Sequence, residues 1–225
     1  MPGRNTKRVE KVGGYYHIYN MGVEKRKIFQ DQEDYSVFLT YLKEHLTPKD
    51  EITLRAKFEH RLTTPAEKDK ILKTLRMNNF AGEITLLVYC LMPNHFHFLV
   101  KQKSAGAMDK FMNSLGTRYT MYFNKKYKRV GPLYQGAYKA VLVETAEQLL
   151  HLSRYIHKQA LSIPSVIGSG QPCSYPAYTG SQSVEWVNPE EVLSFFSQSN
   201  PRGSYQSFVG QEDELDFIYK LTLEE

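Results

Sequence analysis

Cysteine is scarce in this 225-residue chain, which holds only Cys90 and Cys173. Two isolated thiols supply neither a disulfide framework nor the clustered Cys and His of a structural zinc site. Tryptophan occurs once, at Trp186. Long apolar runs are missing as well: ITLLVYCLM at 84–92 is less than half of a membrane span, and the opening residues are polar and basic rather than signal-like. These absences lead us to expect a protein of the reducing cytoplasm with no membrane partner. There is no internal repeat and no low-complexity tract. Acidic residues vanish between Lys110 and Val143, a stretch with seven Lys or Arg and no Asp or Glu.

What is present suits a globular chain: 41% apolar residues, with sixteen tyrosines. Tyrosine at this density builds half-buried sheet faces and also offers rings on which unstacked bases can lie. The net charge of +5 divides unevenly. Residues 180–225 carry nine Asp or Glu against two Lys or Arg, so the body is basic and the tail acidic. A body that meets a polyanion, with a tail that covers it or stays off it, fits that split.

Along the chain, residues 1–11 read as a flexible basic arm holding Arg4, Lys7 and Arg8. GGYYHIYNMG reads as a strand, and DQEDYSVFLTYLKEHL as an amphipathic helix capped by Asp31. Residues 47–82 form a charged insertion in which PAEKDKILKTLRMN predicts a short solvated helix. EITLLVYCLM and HFHFLVKQ predict antiparallel strands turning at Pro93 and Asn94. A helix over about 106–128, a strand at AYKAVLVE and a helix from Thr145 onward follow. This order of elements predicts an α+β domain over 12–164: a ferredoxin-like split βαβ antiparallel sheet with helices on one face, closed by an extra helix. Residues 165–225 are expected to form a C-terminal extension packing on the body, with a helix at NPEEVLSFFSQ capped by Asn188 and started by Pro189.

MPNHFHFLV concentrates the chemistry. Side chains alternate along a strand, so Phe96 and Phe98 share the core face while His95 and His97 share the other, about 7 Å apart at the backbone. Such a pair either holds one divalent ion or is simply a half-buried, hydrogen-bonded pair. A bare His-x-His motif does not decide between them. In HLSRYIHKQ the apolar stripe is Leu149, Leu152, Ile156 and Ala160, while His151, Tyr155 and Gln159 recur every four residues on an adjoining face. Packed on the sheet, that face can stand opposite the histidines.

LMPNHFHFLV resembles the histidine-hydrophobe-histidine motif of single-tyrosine HUH transposases, and RYIHKQ resembles their tyrosine helix. Five blocks in order, GGYYHIYNMGVEKRKIF, DYSVFLTYL, LMPNHFHFLV, TRYTMYFNKKYKRVGPLYQGAYKA and LSRYIHKQ, resemble the REP-associated tyrosine transposases in particular. The resemblance implies the HUH fold and a metal-dependent single-stranded DNA endonuclease and strand transferase that forms a 5′-phosphotyrosine on hairpin-flanked DNA. It assigns His95 and His97 to the metal, Tyr155 as nucleophile and Gln159 as third ligand. REP-associated members commonly carry Asn followed by Pro at that last position, and Gln159 departs toward the insertion-sequence relatives. The residue types alone leave zinc open; the resemblance points to Mg2+ or Mn2+. His151 is a possible helper in activating the phenol.

The basic stretch gives the expected DNA contacts. Lys125, Lys126, Lys128 and Arg129 come first, then Arg26 and Lys27, then the amino-terminal arm, with Arg118, Tyr134, Gln135 and Lys139 completing the set. Tyr119, Tyr122 and Phe123 fall on the apolar helix stripe and are expected in the core. The expected partner is single-stranded or hairpin DNA, bound by a monomer or homodimer that sits on the nucleoid when engaged. The contrasting reading is a domesticated relative that binds hairpin DNA or RNA without cutting it.

Overall fold

The computed structural model describes residues 10–162 and 171–211. Four strands, β1 (Tyr15–Met21), β2 (Ile84–Met92), β3 (His95–Gln102) and β4 (Lys139–Val143), form one antiparallel sheet in the order β2-β3-β1-β4. That is the ferredoxin-like order. It follows from a tight turn at Pro93 and Asn94 between β2 and β3, while β1 enters between β3 and β4.

Helix α1 (Gln32–Leu46) starts at a capping box, with the Asp31 side chain on the Asp34 amide and the Asp34 side chain on the Asp31 amide. It packs with α4 (Ala107–Lys126) on the sheet face made by Tyr16, Ile18, Phe96, Phe98 and Val100. Each of the two phenylalanines is at most 2% exposed, worth roughly 1.5–3 kcal/mol of burial apiece. Tyr119 and Phe123 are buried there and Tyr122 packs against them, as the helix stripe predicts.

The α+β class and the antiparallel sheet stand, but the expectation of helices on one face is corrected. Helix α5 (Ala146–Ser162) covers the opposite face, seating Leu149, Leu152, Ile156 and Ala160 against Leu87, Val88, Cys90, Met92, Leu99 and Val143. β2 is apolar on both sides, so a single helical layer would leave one side wet. A bulge between Leu86 and Val88 turns both Leu87 and Val88 toward α5. The helix begins at a further capping box, in which Thr145 Oγ1 accepts from the Gln148 amide at 3.1 Å and Gln148 Oε1 accepts from the Thr145 amide at 3.3 Å.

The insertion contains two helices rather than one, α2 (Glu51–Glu59) and α3 (Pro65–Arg76), packed on each other. Helix α2 has no buried residue, so its sequence shows no apolar stripe. Residues 171–211 line the outer edge of β2: the amides of Leu91 and Ser174 donate to Pro172 and Tyr89, and the Asn188 amide donates to Leu86. This covers an edge strand that would otherwise present free amides. Three short helices lie in this segment: α6 (Tyr175–Thr179), α7 (Glu190–Leu193) and α8 (Pro201–Gly210). The helix expected at NPEEVLSFFSQ is only the four-residue α7. Pro189 precedes it in the capping position, and no side-chain cap forms. No helix among the described residues is long and apolar enough to cross a membrane.

Candidate active site

β3 and β1, the two central strands, carry the site. On the α5 side of the sheet one row runs across four strands, with Cys90, His97, Tyr19 and Lys139 as successive cross-strand partners. His95 lies two residues along β3, opposite Met92 and Met21. The two imidazoles meet at 4.9 Å between centroids, close to perpendicular, and both Nε2 atoms are buried. The His95 end of β3 is bolted to the loop after β1. The Gly22 amide donates to Asn94, and the Ile28 and Phe29 amides both donate to Pro93. Gly22 is required there, because a Cβ would come within 2.3 Å of the Arg26 carbonyl oxygen.

α5 brings Tyr155 over this row. The phenol ring stands edge-on to the His97 ring at 6.0 Å between centroids, half-buried against the apolar seat of the helix. Tyr155, His95 and His97 therefore come together within a single chain. Gln159 lies one turn beyond Tyr155 on the same side of α5 and is half-buried. Among the described residues no hydrogen bond ties it to the histidines. His151 makes its ring contact with Phe208 of α8, at 5.6 Å, and its Nδ1 lies 3.2 Å from Arg154. The candidate helper thus packs beside the C-terminal segment.

Two residues on this face of the sheet, His17 and Tyr19, escaped sequence reasoning. His17 is fully buried, with Nε2 2.9 Å from His97 Nδ1, and Tyr19 stacks on it at 4.9 Å. The signal was available: in YYHIYNM, His17 and Tyr19 alternate as His95 and His97 do, and pairing the two strands would have joined them.

On the back of α5, His157 is buried between hydroxyls. Its Nδ1 lies 2.7 Å from Tyr205 and its Nε2 2.8 Å from Ser174, and Tyr205 donates to Ser153 at 3.2 Å. Burial pushes the His157 pKa down to about 3, so the imidazole is neutral. Burial likewise pushes the Cys90 and Cys173 thiols up, which removes them as nucleophiles.

The expected DNA contacts divide into two groups. Lys27, Lys125, Lys128, Gln135 and Lys139 are exposed, and Lys139 sits over the Tyr19 ring at 5.5 Å, beside the histidine row. Arg26 and Arg129 are half-buried, and the nearby positive charge of Arg26 adds to desolvation in lowering the Arg129 pKa. Lys126 is tied up instead. Its ammonium pairs with Asp31, Glu33 and Asp34 at 2.8–2.9 Å; burial alone would lower its pKa, but these carboxylates outweigh that and raise it. Arg118 pairs with Glu44 at 2.6 Å and stacks on Tyr41 between α1 and α4, and the Tyr134 hydroxyl is buried. Arg4, Lys7 and Arg8 lie outside the described residues.

Residues 48–159, about half of the chain, match the family model described as Transposase IS200 like. No curated protein matches the chain. Among solved structures it is similar to a REP-associated tyrosine transposase bound to a REP hairpin, at 9% identity and a TM-score of 0.45, over 71% of this chain and 74% of that one. It is also similar to a putative transposase from Deinococcus radiodurans, at 13% identity and a TM-score of 0.36, over 70% and 97%. A third similarity is to tRNA(His) guanylyltransferase of Saccharomyces cerevisiae, at 12% identity and a TM-score of 0.31, over 93% and 86%.

Proposed function

This chain belongs to the IS200-like transposases, and from that premise we propose that it nicks and rejoins single-stranded DNA through a 5′-phosphotyrosine on Tyr155. The observation that carries the proposal is the edge-on seating of the Tyr155 ring against His97, on the same sheet face as His95 and in the same chain. That geometry supports a monomer acting in cis.

Two imidazoles in contact, with both Nε2 atoms buried on one face, fit a divalent cation. The third protein donor that the resemblance implies is the amide oxygen of Gln159, half-buried one turn beyond Tyr155 on the same side of α5. When bound there, Mg2+ or Mn2+ supplies Lewis-acid polarisation of the scissile phosphate. The residues do the rest. The phenol oxygen of Tyr155 attacks phosphorus, the bond to the 3′ oxygen breaks, and the phenol proton ends on the departing 3′-hydroxyl. A free phenol titrates near pH 10, so the attack is helped by a cationic neighbourhood that stabilises the phenolate. Lys139, exposed beside the row, adds positive charge at the strand's phosphates. The phosphotyrosine retains the bond's free energy, so a 3′-hydroxyl can reverse the step and join strands without a nucleotide cofactor.

The five-block resemblance to REP-associated transposases supports hairpin-flanked DNA as the substrate. Labelled single-stranded hairpin oligonucleotides incubated with Mg2+ or Mn2+ are expected to yield a denaturation-resistant protein-DNA adduct. Tyr155→Phe is expected to lose the adduct and keep DNA binding, and chelator to mimic that loss. An adduct that survives Tyr155→Phe overturns the assignment.

A further inference from the structure

Each of the two candidate metal-binding rings has its Nδ1 held by a neighbour. His97 Nδ1 lies 2.9 Å from His17 Nε2, and His95 Nδ1 lies 2.8 Å from Asn94 Oδ1. In both rings the nitrogen on the far side, Nε2, is buried. A neutral imidazole offers a cation one lone pair, on whichever nitrogen lacks the proton. An amide oxygen only accepts, so Asn94 fixes the proton of His95 on Nδ1 and its lone pair on Nε2. His17 can accept or donate, and only as acceptor does it leave His97 presenting the same atom.

We propose that His17 is a positioning residue for the metal site: its Nε2 accepts the Nδ1 proton of His97, so that His97 and His95 both turn Nε2 lone pairs to one cation. The inference rests on the metal reading above. Geometry fixes His17 in this task. It is 0% exposed, its ring lies within 15° of parallel to His97 at 5.2 Å, and Tyr19 stacks on it at 4.9 Å, so the ring has no room to turn away. Backbone pairing reinforces the contact, since His17 and His97 are diagonal neighbours on adjacent strands, opposite Leu99 and Tyr19 respectively. The choice of imidazole also has a reason. A carboxylate would hold the tautomer equally well but would bring a negative charge beside the cation. A neutral ring orients His97 and leaves the cation's full charge for the phosphate.

The test uses the full chain with Mn2+ as the probe. In metal-free wild type, nitrogen-15 spectra of the histidine rings are expected to show His97 protonated on Nδ1, and calorimetric titration to show one Mn2+ site. His17→Phe keeps the stacked ring and removes the acceptor; it is expected to weaken Mn2+ binding by about 10–100-fold and to mix the His97 tautomers. His17→Gln, whose side-chain oxygen reaches the place of Nε2, is expected to restore both, which a merely structural role would not predict. Thermal melts of the metal-free variants establish that each is folded. Wild-type affinity in His17→Phe, or a wild-type His97 protonated on Nε2, overturns the proposal. If wild type binds no Mn2+, the metal reading fails on its own. The nitrogen spectra of the metal-free wild type, which need no variant to fold, still decide what His17 does.

Discussion

On the α1/α4 side of the sheet, Phe38 meets Phe29 and Tyr119 edge-on at 5.2 and 4.9 Å and leans on Phe96 and Phe98. On the α5 side the same sheet buries His17, His97, Ser153, His157 and Ser174 among tyrosines. Apolar rings attract without direction, so the first face can be substituted by anything of similar volume and still hold the domain together. Imidazoles and hydroxyls attract only along their hydrogen bonds, so the second face also aims its groups. Both layers bury apolar side chains, and the second adds to them a set of directional bonds that aim its groups.

Four experiments can break or sharpen that contrast. The largest effect is expected from His97→Ala, which should remove the DNA adduct altogether while the protein remains folded, read by gel after denaturation and by circular dichroism. Phe38→Ala should do the reverse, costing about 3–5 kcal/mol in urea unfolding while any folded fraction keeps its affinity for Mn2+. Equal loss of stability in both variants would dissolve the distinction between the faces. Next is Tyr205→Phe, which deletes the hydroxyl bonded to His157 and Ser153 and leaves those buried groups short of a partner. A cost of about 1–3 kcal/mol is expected, together with a slower rate of adduct formation as the grip on the tyrosine helix loosens.

A pH series tests the aromatic face's own buried imidazole. His45 lies between the Tyr41 carbonyl and Ser114, and burial lowers its pKa from the ordinary 6.5. The unfolded chain therefore takes up a proton below pH 6.5 that the folded chain resists. Stability is fully present above that pH and falls as pH drops through and below it. His45→Gln should flatten the decline in urea midpoint between pH 7 and 5, and an unchanged slope would remove His45 from the account.

How much of this was legible in the sequence depended on periodicity. His95 and His97 declared their face because Phe96 and Phe98 flank them. α5 declared its own because Leu149, Leu152 and Ile156 leave Tyr155 and Gln159 beside the stripe. The strand order followed from the order of elements. The bulge at Leu87 was hidden, since ITLLVYCLM is apolar on both faces and a shift of one residue changes nothing visible. His17 was hidden for another reason: its partner is 80 residues away, and only strand pairing brings them together. Charge was the least faithful guide. Lys126 and Lys128 read alike in NKKYKR, yet one sits in a knot of three carboxylates and the other is exposed. The smallest predicted effect follows from that difference. Lys128→Gln should lower the slope of log affinity against log salt by about 0.7 for single-stranded DNA, whereas Lys126→Gln should leave the slope alone and reduce stability.

Tyr155 and His157 are two positions apart, hence about 200° around the helix, which puts the phenol at the front and its anchor at the back. The anchor consists of a neutral ring and three hydroxyls, with no ion pair among its bonds. Dissolved ions that strip a nucleic acid from surface lysines have nothing to compete for at that bearing. Under the proposed function, ionic strength would govern how long a strand stays on the protein, while the direction in which the Tyr155 phenol points would be left undisturbed.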